Sequence, residues 1–390
     1  MRIGLFSDTY PPQINGVATA TKTLFDAFKR NNHQVYVITT NPFSNKVEFD
    51  GEVLRIPGIT LKKLYSYKLA GFIHPKVTKI IKKLRLDIIH IQTEAGIGIY
   101  GRLLASKFKI PLVYTYHTMY VDYTYYFTKG ILDPAAKGIV KKWTKYISSS
   151  VTEMTTPSLK TKNALREYGV DRYINVIPNG INLDMFEEKN IDHKYIKEFK
   201  DKFNLNDKYI LLSLGRIAKE KSIDVLLESY KSFLENPIVD NTILLIVGDG
   251  PDKENLERLS IELGISNNVI FVGKVPHDKV PCFYYMSNLY ISASTSETQG
   301  LTFIEAIATK TLVLCRYDEN LEDVIEEGKT GFFFSDDQSF IKKINYILSL
   351  KKEEYDQIIE NAYLNNQKYS LDSYYDSMLE VYHRAIRKKW

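Results

Sequence analysis

Short apolar runs alternate with helical stretches from one end of this chain to the other, and that alternation limits the fold more than any other feature. In the first half Arg2–Phe6, Gln34–Thr39, Ile88–Ile91 and Leu112–Thr115 read as strands, with weaker runs at Met154–Thr156 and Asn175–Ile177. Residues 18–30 read as a helix between the first two. The second half repeats the scheme, with strands at Tyr209–Leu214, Thr242–Val247, Val269–Val272, Leu289–Ser292 and Leu312–Leu314. Repeated β-α-β units require a parallel sheet with helices on its faces. The expected class is therefore α/β, with two Rossmann-like doubly wound domains facing a central cleft. A chain of 390 residues has room for two such cores. Pro178-Asn179-Gly180 is turn chemistry and places the linker near 178–190. The expected domains are 1–183 and 184–370, with a Tyr-rich helix at 371–390 packing back on the first.

Composition excludes several classes. Hydrophobic residues are 44% and charged residues 25%, as in a soluble globular protein. The only cysteines, Cys282 and Cys315, suit a reducing compartment and are too few for a structural zinc site. The start, Met1 to Asp8, lacks the long apolar run of a secretory leader. No stretch approaches the roughly 18 uncharged apolar residues of a membrane span. Any membrane contact is expected to be peripheral.

The net charge of +5 hides a split. Residues 1–180 hold 26 basic and 12 acidic residues, and the remainder 26 basic and 35 acidic. A half so basic is expected to face a polyanion. No acidic residue lies between Glu52 and Asp87. Pro75 can open a helix there, with Val77, Ile80, Ile81 and Leu84 on one face and Lys76, Lys79, Lys82 and Lys83 on the other. A second basic stretch carries Lys137, Lys141, Lys142 and Lys145, with Val140, Trp143 and Ile147 between them. Both patterns suit an anionic bilayer surface. Each also fits a solvated lysine face whose apolar stripe packs on the core. Nucleic acid is the rival polyanion, but no nucleic-acid-binding motif is present.

In doubly wound sheets ligands bind beyond the carboxyl ends of the strands. The first strand runs into a loop ending at Gly16, where backbone can approach a ligand closely. This loop is not G-x-G-x-x-G, which argues against a dinucleotide redox site. The strand at 210–214 ends in Gly215-Arg216, with Lys221 beyond; both cations suit phosphate oxygens, although each could be a surface charge. Another strand ends in Gly248-Asp249-Gly250-Pro251, where Asp249 could be a helix cap. Glu297 and Glu305 flank a predicted helix start at Gly300-Leu301. Unpaired N–H groups at Gly300 and Leu301 can hold a diphosphate. Glu297 can accept from sugar hydroxyls, and Glu305 can hold a ribose.

Together these pieces resemble retaining glycosyltransferases of the GT-B fold with a Glu-x7-Glu motif. The resemblance covers nearly the whole chain, including Tyr116-His117-Thr118, Pro178-Asn179-Gly180-Ile181 and Phe271-Val272-Gly273. It implies that Arg216 and Lys221 contact the donor diphosphate, Glu297 the donor sugar and Glu305 the ribose. It places His117 near the sugar and the backbone at Lys274–Val275 against the base. It implies no metal cofactor, and no Asp-x-Asp motif is present for one. Two departures stand out: Gln92 occupies a position where relatives often carry His, and 298–299 differ from the usual motif. Within the family, Tyr116 to Tyr123 and Thr93-Glu94 are similar to bacterial diacylglycerol glucosyltransferases. That likeness implies UDP-glucose as donor, a lipid acceptor, and a cytoplasmic enzyme peripheral on the inner face of the membrane. The rival expectations are a transferase making a soluble glycoside or polysaccharide, and a non-catalytic sugar-nucleotide-binding protein.

Overall fold

The computed structural model describes residues 1–390 apart from 14, 62–66, 72–74, 118–132, 236, 240, 296, 298 and 389–390, and apart from the side chains at 60, 61, 67–69 and 133–136. The chain divides into two compact units, Met1–Gly180 with Leu371–Trp390, and Ile181–Ser370.

The first unit is built on β1 (Arg2–Phe6), β2 (Gln34–Thr40), β3 (Glu48–Phe49), β4 (Val53–Ile56), a separate hairpin of β5 (Gly58–Leu61) and β6 (Tyr67–Ala70), then β7 (Ile88–Ile91), β8 (Leu112–Thr115), β9 (Glu153–Thr156) and β10 (Asn175–Val176). The main sheet runs β10-β9-β8-β7-β1-β2-β4-β3, parallel except for β3. Its helices are α1 (Gly16–Arg30), α2 (Pro75–Leu84), α3 (Gly96–Phe108), α4 (Asp133–Ser149) and α5 (Leu159–Glu167). The central strands are buried on both faces, so they are apolar almost throughout rather than alternating. Helix α1 starts two residues before its apolar periodicity does. The Asn15 side chain accepts from the Ala18 N–H at 2.9 Å and caps it.

The second unit has α6 (His193–Lys202), β11 (Tyr209–Leu214), α7 (Ile223–Leu234), β12 (Thr242–Val247), α8 (Lys253–Glu262), β13 (Val269–Gly273), α9 (Val280–Met286), β14 (Leu289–Ser292), α10 (Leu301–Ala308), β15 (Leu312–Arg316), β16 (Phe332–Phe334), α11 (Asp337–Ser349) and α12 (Lys352–Asn366). Its sheet is parallel in the order β13-β12-β11-β14-β15-β16. All six residues of β12 are buried.

The final helix, α13 (Leu371–Arg387), belongs to the first unit. Its Tyr374, Met378, Val381, Tyr382 and Ala385 share a core with Leu24 and Phe28 of α1 and Val35 and Val37 of β2. Past its end, Lys388 donates to the buried Glu153 carboxylate of β9 at 2.6 Å. A carboxylate this deep needs a cation partner, so this tie fixes where the helix end sits.

Candidate active site

In the second unit the direction of strand addition reverses between β11 and β14. Such a switch point opens a crevice at the carboxyl ends of the strands. The loop after β11 carries Arg216 and Lys221, and the loop after β14 carries Glu297. They meet there: Lys221 Nζ donates to Glu297 Oε1 at 2.7 Å. The Glu297 side chain is 11% exposed and that of Lys221 32%, so the pair sits at the mouth of the crevice. Arg216 is 60% exposed, and its ion pair with Glu220 is long at 3.8 Å.

The peptide around Glu297 is held from the loop after β15. The Glu297 N–H donates to Asp318 Oδ2 at 3.1 Å, and the Asn320 side chain donates to the Glu297 carbonyl. Asp318 in turn accepts from the Asn320 N–H at 3.0 Å. Asp318 and Asn320 are buried, and the sequence reading missed both. A polar Asp-x-Asn directly after a buried strand was the available signal.

Gly300 lies in the left-handed region at φ 68°, and a Cβ there would come within 2.4 Å of Leu321. Only glycine serves at this turn. Helix α10 follows at once, so the Leu301 and Thr302 N–H groups have no intrahelical acceptor. Glu305 sits on the same helix, and Tyr284 donates to its Oε2 at 2.9 Å. Burial pushes the Glu305 carboxyl up to about 7, although the tyrosine bond pulls the other way. The raised value has a sign. Between the ordinary carboxylate range and about 7 the folded chain holds a proton that the unfolded chain has lost, so stability falls as pH rises. Glu305→Gln is expected to flatten the Tm profile between pH 5 and 8; an unchanged slope would refute this.

Three successive loops are laced together by backbone. Gly215 N–H donates to Val247 carbonyl at 3.0 Å, Gly248 N–H to Gly273 at 2.9 Å, and Ile217 N–H to Asp249 at 3.1 Å. Cβ atoms at Gly248 and Gly250 would lie 1.8 and 2.0 Å from the carbonyl oxygens of Gly215 and Ile217. These glycines therefore let one loop lie on the other. Asp249 accepts from the Gly250 N–H rather than capping α8, whose N-cap residue is Asp252. Lys274 and Val275 follow β13 directly, Lys274 exposed and Val275 half-buried.

The first unit has its own reversal, between β1 and β7. Buried Asp8 joins the two loops: Oδ2 accepts from the Thr93 hydroxyl at 2.7 Å and Oδ1 from the Ile97 N–H at 2.8 Å. Gly16 opens α1, and a Cβ there would meet nothing within 4 Å. Packing does not demand glycine there, and the open space leaves room for a ligand. His117 lies just beyond β8, and its Nε2 is 2.6 Å from Gln92 Oε1. Burial lowers the His117 pKa to about 4, so the ring is neutral at neutral pH.

The lysine-rich helices differ. On α2, Val77 and Ile81 are buried and Ile80 and Leu84 half-buried, so the apolar stripe serves the core, the plainer of the two expectations. Lys76, Lys79, Lys82 and Lys83 face outward, with Pro75 at the helix start. On α4, Ile147 is buried, but Ile139, Trp143 and Tyr146 are 69, 38 and 58% exposed. They recur at i, i+4 and i+7, a stripe along one helix face beside exposed Lys142 and Lys145. Lys141 is half-buried over the Tyr168 ring, and Lys137 is half-buried as well.

Residues 14–185 match glycosyltransferase family 4, and residues 195–365 match the group 1 glycosyl transferases. The chain belongs to the GT-B glycosyltransferases that combine these two domains, and it is an enzyme of that class. It is 36% identical to the alpha-monoglucosyldiacylglycerol synthase of Acholeplasma laidlawii, over 100% of this chain and 98% of that protein. The synthase of the same name from Streptococcus pneumoniae is also 36% identical, over 86% of this chain and 75% of that one. Among solved structures, Anabaena HepE with UDP has a TM-score of 0.74 at 17% identity, covering 98% of this chain and 99% of that one. Sucrose-phosphate synthase of Thermosynechococcus elongatus has a TM-score of 0.75 at 19% identity, with both chains fully covered. These two likenesses concern the fold.

Proposed function

We propose that the chain transfers glucose from UDP-glucose to 1,2-diacylglycerol at a membrane surface, with retention at the anomeric carbon. The observation that carries this reading is the 36% identity to an alpha-monoglucosyldiacylglycerol synthase along essentially the whole of both chains. The crevice between β11 and β14 supports it. Breaking the C1–O bond sends its electron pair to the β-phosphate, so negative charge builds on departing UDP. Arg216, Lys221 and the N–H groups at the start of α10, from Gly300-Leu301 on, are cationic or donor groups suited to that charge. Glu297 accepts from sugar hydroxyls and Glu305 from the ribose, while Lys274–Val275 lie by the base. The acceptor hydroxyl bonds to C1 on the face the phosphate leaves, and its proton passes to the phosphate oxygen. No protein nucleophile is required. His117 and the Gly16 loop orient the sugar.

Among the described residues no helix is long and apolar enough to cross a membrane. The proposed contact is peripheral. The outward lysines of α2 supply charge, and α4 adds Lys137, Lys141, Lys142, Lys145, Trp143 and the exposed Ile139 and Tyr146. Co-sedimentation with vesicles containing phosphatidylglycerol is expected to be strong at low salt and to weaken as ionic strength rises. Combined Ile139→Ser and Trp143→Ser substitution is expected to cut binding about tenfold, because buried apolar area adds to the charge term. Equal binding to neutral vesicles would argue against a charge-led contact. Turnover of UDP-glucose with diacylglycerol vesicles, followed by identification of the glycolipid and its anomer, tests the reaction itself. A product made only with a soluble acceptor would overturn the lipid reading.

A further inference from the structure

We propose that Gln92 is a positioning residue for the transfer, holding the His117 ring in one tautomer and one orientation. This rests on the reading above that places His117 by the donor sugar.

Gln92 follows β7 and His117 follows β8, and these strands are neighbours with Ile91 opposite Tyr114. Side chains two residues apart on a strand share a face. His90 and Gln92 therefore stand beside Thr115 and His117, and two cross-strand rungs result. In the lower rung His90 Nε2 is 2.7 Å from the Thr115 hydroxyl, and His90 Nδ1 is 2.8 Å from the hydroxyl of Tyr382 on α13. In the upper rung Gln92 Oε1 is 2.6 Å from His117 Nε2. With the carboxamide oxygen turned to the ring, His117 carries its proton on Nε2 and keeps a lone pair on Nδ1, and the carboxamide Nε2 then has no hydrogen-bond partner among the described residues. Gln92 is 1% exposed, and its main-chain N–H donates to the Phe6 carbonyl at 2.8 Å, which holds its backbone on the sheet. Burial keeps the ring uncharged. His90 is the titratable group coupled to it, and burial holds that ring neutral too.

A neutral His117 of fixed tautomer can accept from a sugar hydroxyl at Nδ1, and its main-chain carbonyl keeps a set direction. A cationic ring, or one with its proton on Nδ1, could not accept there. Glutamine performs this task without a charge or a second titrating ring.

The test is a double-mutant cycle on the full chain with UDP-glucose and diacylglycerol vesicles, read as kcat and KM separately. Gln92→Leu is expected to lower kcat roughly tenfold with little change in the KM for UDP-glucose, and to have no further effect once His117→Ala is present. Equal losses from Gln92→Leu in both backgrounds would mean a merely structural role and would overturn the inference. Loss of activity in His117→Ala with none in Gln92→Leu would overturn it as well, while leaving the role of His117 intact. No loss in His117→Ala would refute the role of His117, and with it this proposal. Nitrogen-15 spectra of histidine-labelled protein supply an independent readout: the His117 proton is expected on Nε2 in the native chain and shared between both nitrogens in Gln92→Leu. A proton on Nδ1 in the native chain would refute the assignment. Gln92→Glu places a carboxylate on the ring and is expected to raise the His117 pKa, giving kcat a rise with pH that the native chain lacks.

Discussion

Lys221→Ala is expected to lower kcat for glucosyl transfer by on the order of a hundredfold to a thousandfold, about 3 to 4 kcal/mol of barrier. The reasoning starts from its place at the reversal between β11 and β14, where it already holds the Glu297 carboxylate at 2.7 Å. A diphosphate entering that crevice competes with Glu297 for the same ammonium. Its negative charge grows as the sugar departs, so the cation is worth more in the transition state than in the ground state. The loss should therefore fall more on kcat than on the KM for UDP-glucose. Global stability should change little, because the Lys221 side chain is a third exposed and water can take its place. Initial rates with diacylglycerol vesicles and a thermal melt check both statements. Turnover within twofold of the native chain would remove Lys221 from the mechanism.

Gly248→Ala is expected to cost about 3 kcal/mol and to lower the melting temperature of the second unit by on the order of 10 °C. Two independent strains coincide there. The residue sits at φ 140°, which side chains rarely adopt, and its new Cβ would lie 1.8 Å from the Gly215 carbonyl oxygen. That oxygen belongs to backbone already bound to β12, so it cannot step aside without releasing the loop that carries Arg216. UDP binding should weaken in parallel, measured by calorimetry at a temperature where the variant is folded. Gly264→Ala is the control. It also has a positive φ, 74°, but nothing lies within 4 Å of its Cβ position, so only about 1 kcal/mol is expected. Equal melting shifts for the two variants would show that the loop contact carries no weight.

Much of this was legible in one dimension. Parallel strands buried on both faces are short, apolar and uninterrupted, so β1, β7, β8, β11, β12 and β14 could be read from Ile, Val and Leu runs alone. Strands β3 to β6 and β16 were not legible. They are two to four residues long, and pairing with a neighbour rather than composition makes them strands. The motif residues after the strands were visible as types: a Gly-Arg, a Lys, a pair of glutamates. Their partners were not. Asp318 and Asn320 grip Glu297 from 21 and 23 residues away, and Tyr284 reaches Glu305 across 21.

Local chemistry therefore determined the succession of elements, the glycine turns and the inventory of charged side chains, because each depends on neighbours in the chain. Only three-dimensional packing decided which face of α2 remained for solvent, which apolar residues of α4 were left outside, and that Lys221 meets Glu297 while Gln92 meets His117. Those outcomes depend on strand order, and strand order places side by side residues that the chain keeps far apart.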